Sequence, residues 1–425
     1  IPSDAAFKII DEKGNALKVQ PIRSCREGRY YAIYAEDIPA MGYKTYEIVI
    51  ENKKAEQLLN TQMADNIIEN NYYRIKFNPQ KGAVESIYDK QLQKEMVDKN
   101  SPWQLGAFIY ESLNNNRNQM ERYTFTDYER HGMTNCKVSA GINGPIYQSV
   151  NIEGKSLGCD EQFGVRVELR LFHNTKRIEL AYAIKRLPET EPTGIYVAFP
   201  FALDNAKLLF DVQGGTVESG KDQLTGTTTE WNTVQNFVTA RNNNAQFIVG
   251  SDVVPLYQLG KLLDGPFQYE KSYDKPHVFS WVMNNYWVTN FRALQEGEFR
   301  WSYYLTSTDD VSNTMANKFG WSSRVPLYPR VMPRSKDNNM PREYSAFTID
   351  KNNLLMTSCT PSSVDGSVLV NIRELDGKDT ELRIYDAKGY QLSFDVVNAI
   401  DEIISGNNKQ ITVKPFENKF IRIKY

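Results

Sequence analysis

From Val165 onward the chain alternates between apolar and polar positions. Val165, Val167, Leu169 and Leu171 face one way, and Arg166, Glu168 and Arg170 face the other. The segment His173-Asn174-Thr175-Lys176 supplies turn residues, after which Ile178, Leu180, Tyr182 and Ile184 resume the alternation. Strand side chains point to opposite faces with a period of two, so this pattern predicts a long antiparallel hairpin with one wet face. Tyr73, Ile75 and Phe77 begin a second hairpin through the turn Asn78-Pro79-Gln80-Lys81-Gly82. No segment predicts a long amphipathic helix. The pattern predicts an all-β fold.

Two shifts in composition suggest boundaries. The polar stretch ENKKAEQLLNTQMAD separates an opening β-region, residues 1–58, from a large block at 62–328. The run PLYPRVMPRSKDNNMP, with its four prolines, reads as a linker over a surface. Beyond it, SVLVNIREL, TELRIYD and QITVKPFENKFIRIKY predict a small β-sandwich over 340–425. The central block holds too many strands for a small sandwich and suits two large packed antiparallel sheets. No short-period repeat points to a propeller or solenoid.

The most informative chemistry lies between two predicted strands. Phe279, Trp281 and Met283 alternate in the first, and Phe299, Trp301, Tyr303 and Leu305 in the second. NNYWVTNFRALQEG lies between them and is longer than a hairpin connection normally needs. Asn284, Asn285, Trp287, Asn290 and Arg292 are the candidate binding residues. An amide can bridge neighbouring hydroxyls, and an indole offers a face to the C–H groups of a sugar ring. The alternative is structural, with the asparagine pair capping a strand and Trp287 filling the core.

Composition narrows the choice. With 50 Lys+Arg against 52 Asp+Glu, the net charge is −2, so no basic field exists to hold nucleic acid. Aromatics reach 12%, which suits strands and sugar-binding surfaces. No apolar run approaches the ~18 residues of a membrane span. Cys25, Cys136, Cys159 and Cys359 form no C-x-x-C pair and read as incidental thiols, with one long-range disulfide as the alternative. The opening Ile1-Pro2-Ser3 reads as the start of a piece of something longer.

A self-contained active site is not evident. His131, His173 and His277 show no metal-ligand spacing, and no nucleophile elbow or phosphate loop occurs. No catalytic residue, metal ligand or cofactor site is assigned in this chain. His277, following Pro276 at a strand start, reads as structural.

Six segments in order resemble the C-terminal region of glycoside hydrolase family 38, the retaining α-mannosidases, particularly the bacterial type. They are DIPAMGYKTYEI (Asp37 to Ile48), NNYYRIKFNPQKGAVESIYDKQLQKEM (Asn70 to Met96), GIYVAFPF (Gly194 to Phe201), PLYQLG (Pro255 to Gly260), WVMNNYWVTNF (Trp281 to Phe291) and KPFENKFIRI (Lys414 to Ile423). The resemblance implies an all-β supersandwich like that of galactose mutarotase, flanked by smaller β-domains. It implies a parent enzyme acting on α-mannoside-containing glycans, with zinc and the nucleophile in an N-terminal catalytic domain that would be this chain's partner. The Asn284–Arg292 loop would then supply a wall of the substrate cleft. Where the family usually carries a VQRW-like pattern, this chain has Val234-Gln235-Asn236-Phe237. A free-standing carbohydrate-binding module is the alternative. A mutarotase-like epimerase or a polysaccharide lyase is a more distant one.

Overall fold

The computed structural model describes residues 5–26, 28–54, 58–269, 272–287, 289, 292–333 and 340–424. The chain divides into two units, one of residues 58–311 with 315–326, the other of 1–57, 312–314 and 327–425. The opening region and the C-terminal sandwich, drawn apart in the sequence, thus fall in one unit. The fold is all-β, built from antiparallel sheets.

In the first unit a ten-stranded sheet and a six-stranded sheet enclose the main core, joined by a four-stranded sheet. The hairpin anticipated from alternation is Val165–Phe172 paired with Ile178–Arg186, in register from Val165 opposite Ile184 to Leu171 opposite Ile178. Its eight apolar side chains are at most 3% exposed. Each such burial stabilises the fold by on the order of 1.5–3 kcal/mol. On the wet face Arg170 bridges Glu168 at 2.6 Å and Glu179, its cross-strand neighbour, at 2.9 Å. The second hairpin, Tyr73–Asn78 with Ala83–Asp89, forms as the pattern predicts.

The two strands flanking the asparagine loop do not pair with each other. His277–Asn284 lies in the six-stranded sheet between Thr193–Pro200 and Leu256–Leu259. Gly297–Thr308 lies in the ten-stranded sheet between Ile178–Arg186 and Gln246–Ser251. The loop is long because it carries the chain from one sheet to the other.

A helix, Asn313–Arg324, appears where none was predicted. Ala316 and Phe319 pack on Phe237, Ile248 and Tyr304 of the ten-stranded sheet. Gly320 permits the close approach, since a Cβ there would lie 3.0 Å from both Asn236 Cβ and Phe237 Cδ1. Asn236, at the departure from the family pattern, is buried and donates to Asp211 at 2.6 Å.

In the second unit, Leu354–Pro361, Ser367–Glu374, Asn418–Lys424, Phe394–Val397 and Ile403–Asn408 form a five-stranded sheet over a core that includes Val370, Ile372, Ile421 and Ile423. The described part of the proline-rich linker has no regular structure, and 334–339 lie outside the described residues. Cys136, Cys159 and Cys359 are free thiols, while the side chain of Cys25 lies outside the described residues.

Candidate functional site

The outer face of the six-stranded sheet carries a second apolar cluster, distinct from the core between the sheets. Strand alternation creates it: Ile195, Val197 and Phe199 turn inward, while Tyr196 and Ala198 turn outward. Phe279 and Trp281 join them from the next strand.

One row across this face holds Glu111, Gly194 and Asn284, which are direct partners in the ladder. Tyr286 lies over Gly194, where an added Cβ would stand 2.0 Å from its hydroxyl oxygen, so only glycine fits. The Tyr286 hydroxyl donates to Glu111 Oε1, and Arg130 Nε donates to Glu111 Oε2 at 2.5 Å. Glu111 is fully buried. Burial pushes its carboxyl above the ordinary value, opposed by the Arg130 guanidinium and the Tyr286 and Tyr196 hydroxyls. Arg130 also donates to the Leu263 carbonyl and stacks 4.2 Å above the Tyr128 ring centre. With both oxygens engaged and no access to solvent, Glu111 fixes the loop and is not poised to exchange protons with a substrate.

The sequence candidates behave differently from one another. Asn285 is buried, and its Oδ1 accepts from Thr193 N at 2.7 Å and Thr193 Oγ1 at 3.2 Å. Its Nδ2 donates to the carbonyls of Glu189 at 3.0 Å and Ala293 at 3.3 Å, and its own carbonyl accepts from Arg117. Those bonds use the side chain completely, so here Asn285 staples the loop and offers a ligand nothing. Asn284 is half-buried at the strand end, with no side-chain hydrogen bond among the described residues. Arg292 is exposed and pairs with Glu296 through both carboxylate oxygens at 3.1 Å. Asn290 lies outside the described residues.

Trp287 is half-buried and set edge-on to Trp231 at 5.5 Å and to Trp281 at 6.1 Å. Trp231 stacks on Trp281 with ring centres 5.0 Å apart, and Tyr196 stacks on Trp281 at 6.1 Å. Offset and edge-to-face pairs of this kind contribute about 0.5–1.5 kcal/mol each beyond burial. The buried Trp281 Nε1 has no hydrogen-bond partner among the described residues. Beside the cluster, Glu230, Lys261, Leu263, Asp264 and Gln268 border a shallow cleft of about 120 Å³. That is well below the roughly 300–1,000 Å³ of a complete small-molecule pocket. The geometry is that of an aromatic wall with polar edges.

Sequence reasoning missed Glu111, Arg130, Tyr196 and Trp231. Glu111 carries a signal in hindsight, being a lone carboxylate in the apolar run AFIYES. Trp231 stands three residues before Val234-Gln235-Asn236-Phe237, where this chain departs from the family pattern.

Among the described residues, no three His, Cys, Asp or Glu side chains gather into a group able to hold a metal. His277 pairs with Asp98 at 3.0 Å, both largely buried. Burial holds the imidazole below its ordinary pKa despite the Asp98 carboxylate, and Lys275 adds to the lowering. An unfolded histidine takes up its proton at about pH 6.5, before the folded one does. This contribution is thus present above that pH and lost as pH falls through it. Urea midpoints measured between about pH 8 and pH 5 should fall toward acid, and His277→Gln should flatten that slope. An unchanged slope in the variant would assign the acid sensitivity elsewhere.

An antiparallel multi-sheet β-protein with an aromatic outer wall is the class that this geometry defines. Residues 68–253 match the family model described as "Glycosyl hydrolases family 38 C-terminal domain". Over that stretch, less than half of the chain, the resemblance read from the sequence holds. The asparagine loop lies beyond the matched stretch. An α-mannosidase from Enterococcus faecalis V583 superposes over 99% of this chain at 13% identity, with a TM-score of 0.75. A family 38 protein from Enterococcus faecalis does so at 14% identity, with a TM-score of 0.74. The chain spans about half of each, 51% and 53%. No curated relative matches the sequence.

Proposed function

We propose that this chain is the non-catalytic β-region of a family 38 α-mannosidase and lends an aromatic wall to a carbohydrate cleft completed by a catalytic domain. The observation that supports it most is the half-buried Trp287 set against Trp231, with a cleft of about 120 Å³ beside the cluster that is too shallow to enclose a sugar ring alone. Apolar indole surface next to free amide groups matches the two-sided character of a pyranose. Asn284 and Trp287 are the contacts that this reading retains. Arg292 stands at the rim, and Asn285 acts behind the wall as a positioning residue. Zinc, the nucleophile and the general acid would belong to the partner domain.

Two measurements test this. The purified chain is expected to release no p-nitrophenol from p-nitrophenyl α-mannoside, with or without added zinc, and turnover would overturn the assignment. The indole N–H resonances of Trp231 and Trp287 should stay in place when mannotriose is added, because a wall alone holds sugar too weakly. A saturable shift there would mark a self-contained binding module instead.

A further inference from the structure

A second cavity has a lining that shares no residue with the aromatic wall. It measures about 670 Å³ and is lined by Gln91, Leu92, Lys176, Thr306, Ser307, Thr308, Asp309, Met315 and Phe319, all within one unit. That volume falls in the roughly 300–1,000 Å³ range of small-molecule sites.

Its floor is a rigid polar network. Asp89, wholly buried, accepts from the backbone N–H groups of Gln91 at 2.8 Å and Leu92 at 2.9 Å. Its other oxygen takes the Ser307 hydroxyl at 2.5 Å and pairs with the Lys176 ammonium at 2.7 Å. Tyr73 holds Ser307 from beneath, its hydroxyl 2.9 Å from Ser307 Oγ and accepting Ser307 N–H at 3.1 Å. Thr306 donates to the Lys176 carbonyl at 2.6 Å, fixing the turn that presents the ammonium.

Several groups remain to meet a ligand. An ammonium has three donors, and Lys176 gives only part of that capacity to Asp89. The Thr308 hydroxyl accepts from Asp310 N at 3.0 Å and keeps its own proton to donate. The Gln91 amide and the exposed Asp309 carboxylate are without side-chain partners among the described residues. Leu92, Met315 and Phe319 add apolar surface to the lining.

The charges select the ligand class. Asp89 neutralises Lys176, and Asp309 adds a further negative charge, so an anion is repelled. Among the described residues there is no group of ligands for a metal. What suits a carboxylate, an amide, a hydroxyl and an ammonium in a cavity that also has apolar lining is a neutral ring with adjacent hydroxyls. We propose that this cavity binds a neutral saccharide unit, independently of the Trp287 wall.

The ε-methyl resonance of Met315, identified by loss in Met315→Leu, reports on this cavity directly. The whole chain is titrated with methyl α-mannoside, methyl α-glucoside, methyl α-galactoside and, separately, inorganic phosphate. At least one glycoside is expected to shift the resonance saturably in the millimolar range, with phosphate inert. Asp309→Asn, at an exposed position that leaves the fold alone, should weaken that binding on the order of tenfold. Lys176→Met should do likewise if it folds. Trp287→Ala should leave the Met315 shift unchanged, which separates this site from the wall. Failure of every glycoside to shift Met315, a response to phosphate alone, or indifference to Asp309→Asn would each overturn the proposal. A Met315 response abolished by Trp287→Ala would overturn its independence.

Discussion

Arg130→Met is expected to destabilise the unit by about 3–5 kcal/mol, the usual cost of stranding one member of a buried ion pair. Glu111 has no solvent access, and the Arg130 side chain is only 14% exposed. Removing the guanidinium leaves a carboxylate with only tyrosine hydroxyls, those of Tyr286 and Tyr196, to hold it in an apolar cluster. Arg130 is also the largest influence drawing the Glu111 carboxyl down against burial. Without it, the folded carboxyl rises further above its unfolded value. A raised folded pKa contributes stability below the unfolded value and loses it as pH rises through the folded one. The deficit of the variant should therefore be larger near pH 8 than near pH 5, as read from urea midpoints at the two values. A companion double variant, Glu111→Leu with Arg130→Met, should be less damaged than the sum of the two singles. Additive losses would show that the pair does not hold this face together.

Asn285→Ala should also be costly, and more local. Thr193 is buried, and its N–H loses the Asn285 acceptor, an orphaning worth about 1–3 kcal/mol. The Glu189 and Ala293 carbonyls lie in less buried residues and can turn to water instead. The larger effect should fall on the crossing loop, which loses the bond tying its return at Ala293 to its start. Limited proteolysis should then cut between 285 and 297 while the sheets persist. Asn285→Asp, which keeps the acceptor for Thr193 and loses the donors, should fall between wild type and alanine. A loop that resists protease in the alanine variant would refute the staple.

The hairpins were readable because a strand buried on one face writes its periodicity into a few consecutive letters. Val165 to Ile184 does so, and the register follows from the turn alone. The crossing of the asparagine loop was not readable. Phe279, Trp281 and Met283 alternate the same way whether the next strand joins their own sheet or another. The helix at Asn313–Arg324 hid for a different reason. Its sequence, NTMANKFGWSSR, has two asparagines, a glycine and a serine pair, so local propensity argues against it. Packing of Ala316 and Phe319 on the sheet overrides that. Asn284 and Asn285 are identical letters side by side, yet one sits at a strand end and the other in a buried socket. The difference depends on Thr193, Glu189 and Arg117, which lie far away in sequence.

Gly297–Thr308 is the last strand of its sheet to leave the ribosome, yet it sits in the middle, with Ile178–Arg186 on one side and Gln246–Ser251 on the other. Until it arrives, the growing chain holds two half-sheets whose raw edges match this one missing strip. Such edges invite pairing with neighbouring chains. The keystone is therefore laid late, and the nascent chain's greatest risk of sticking to its siblings falls just before the stretch that ends at Thr308.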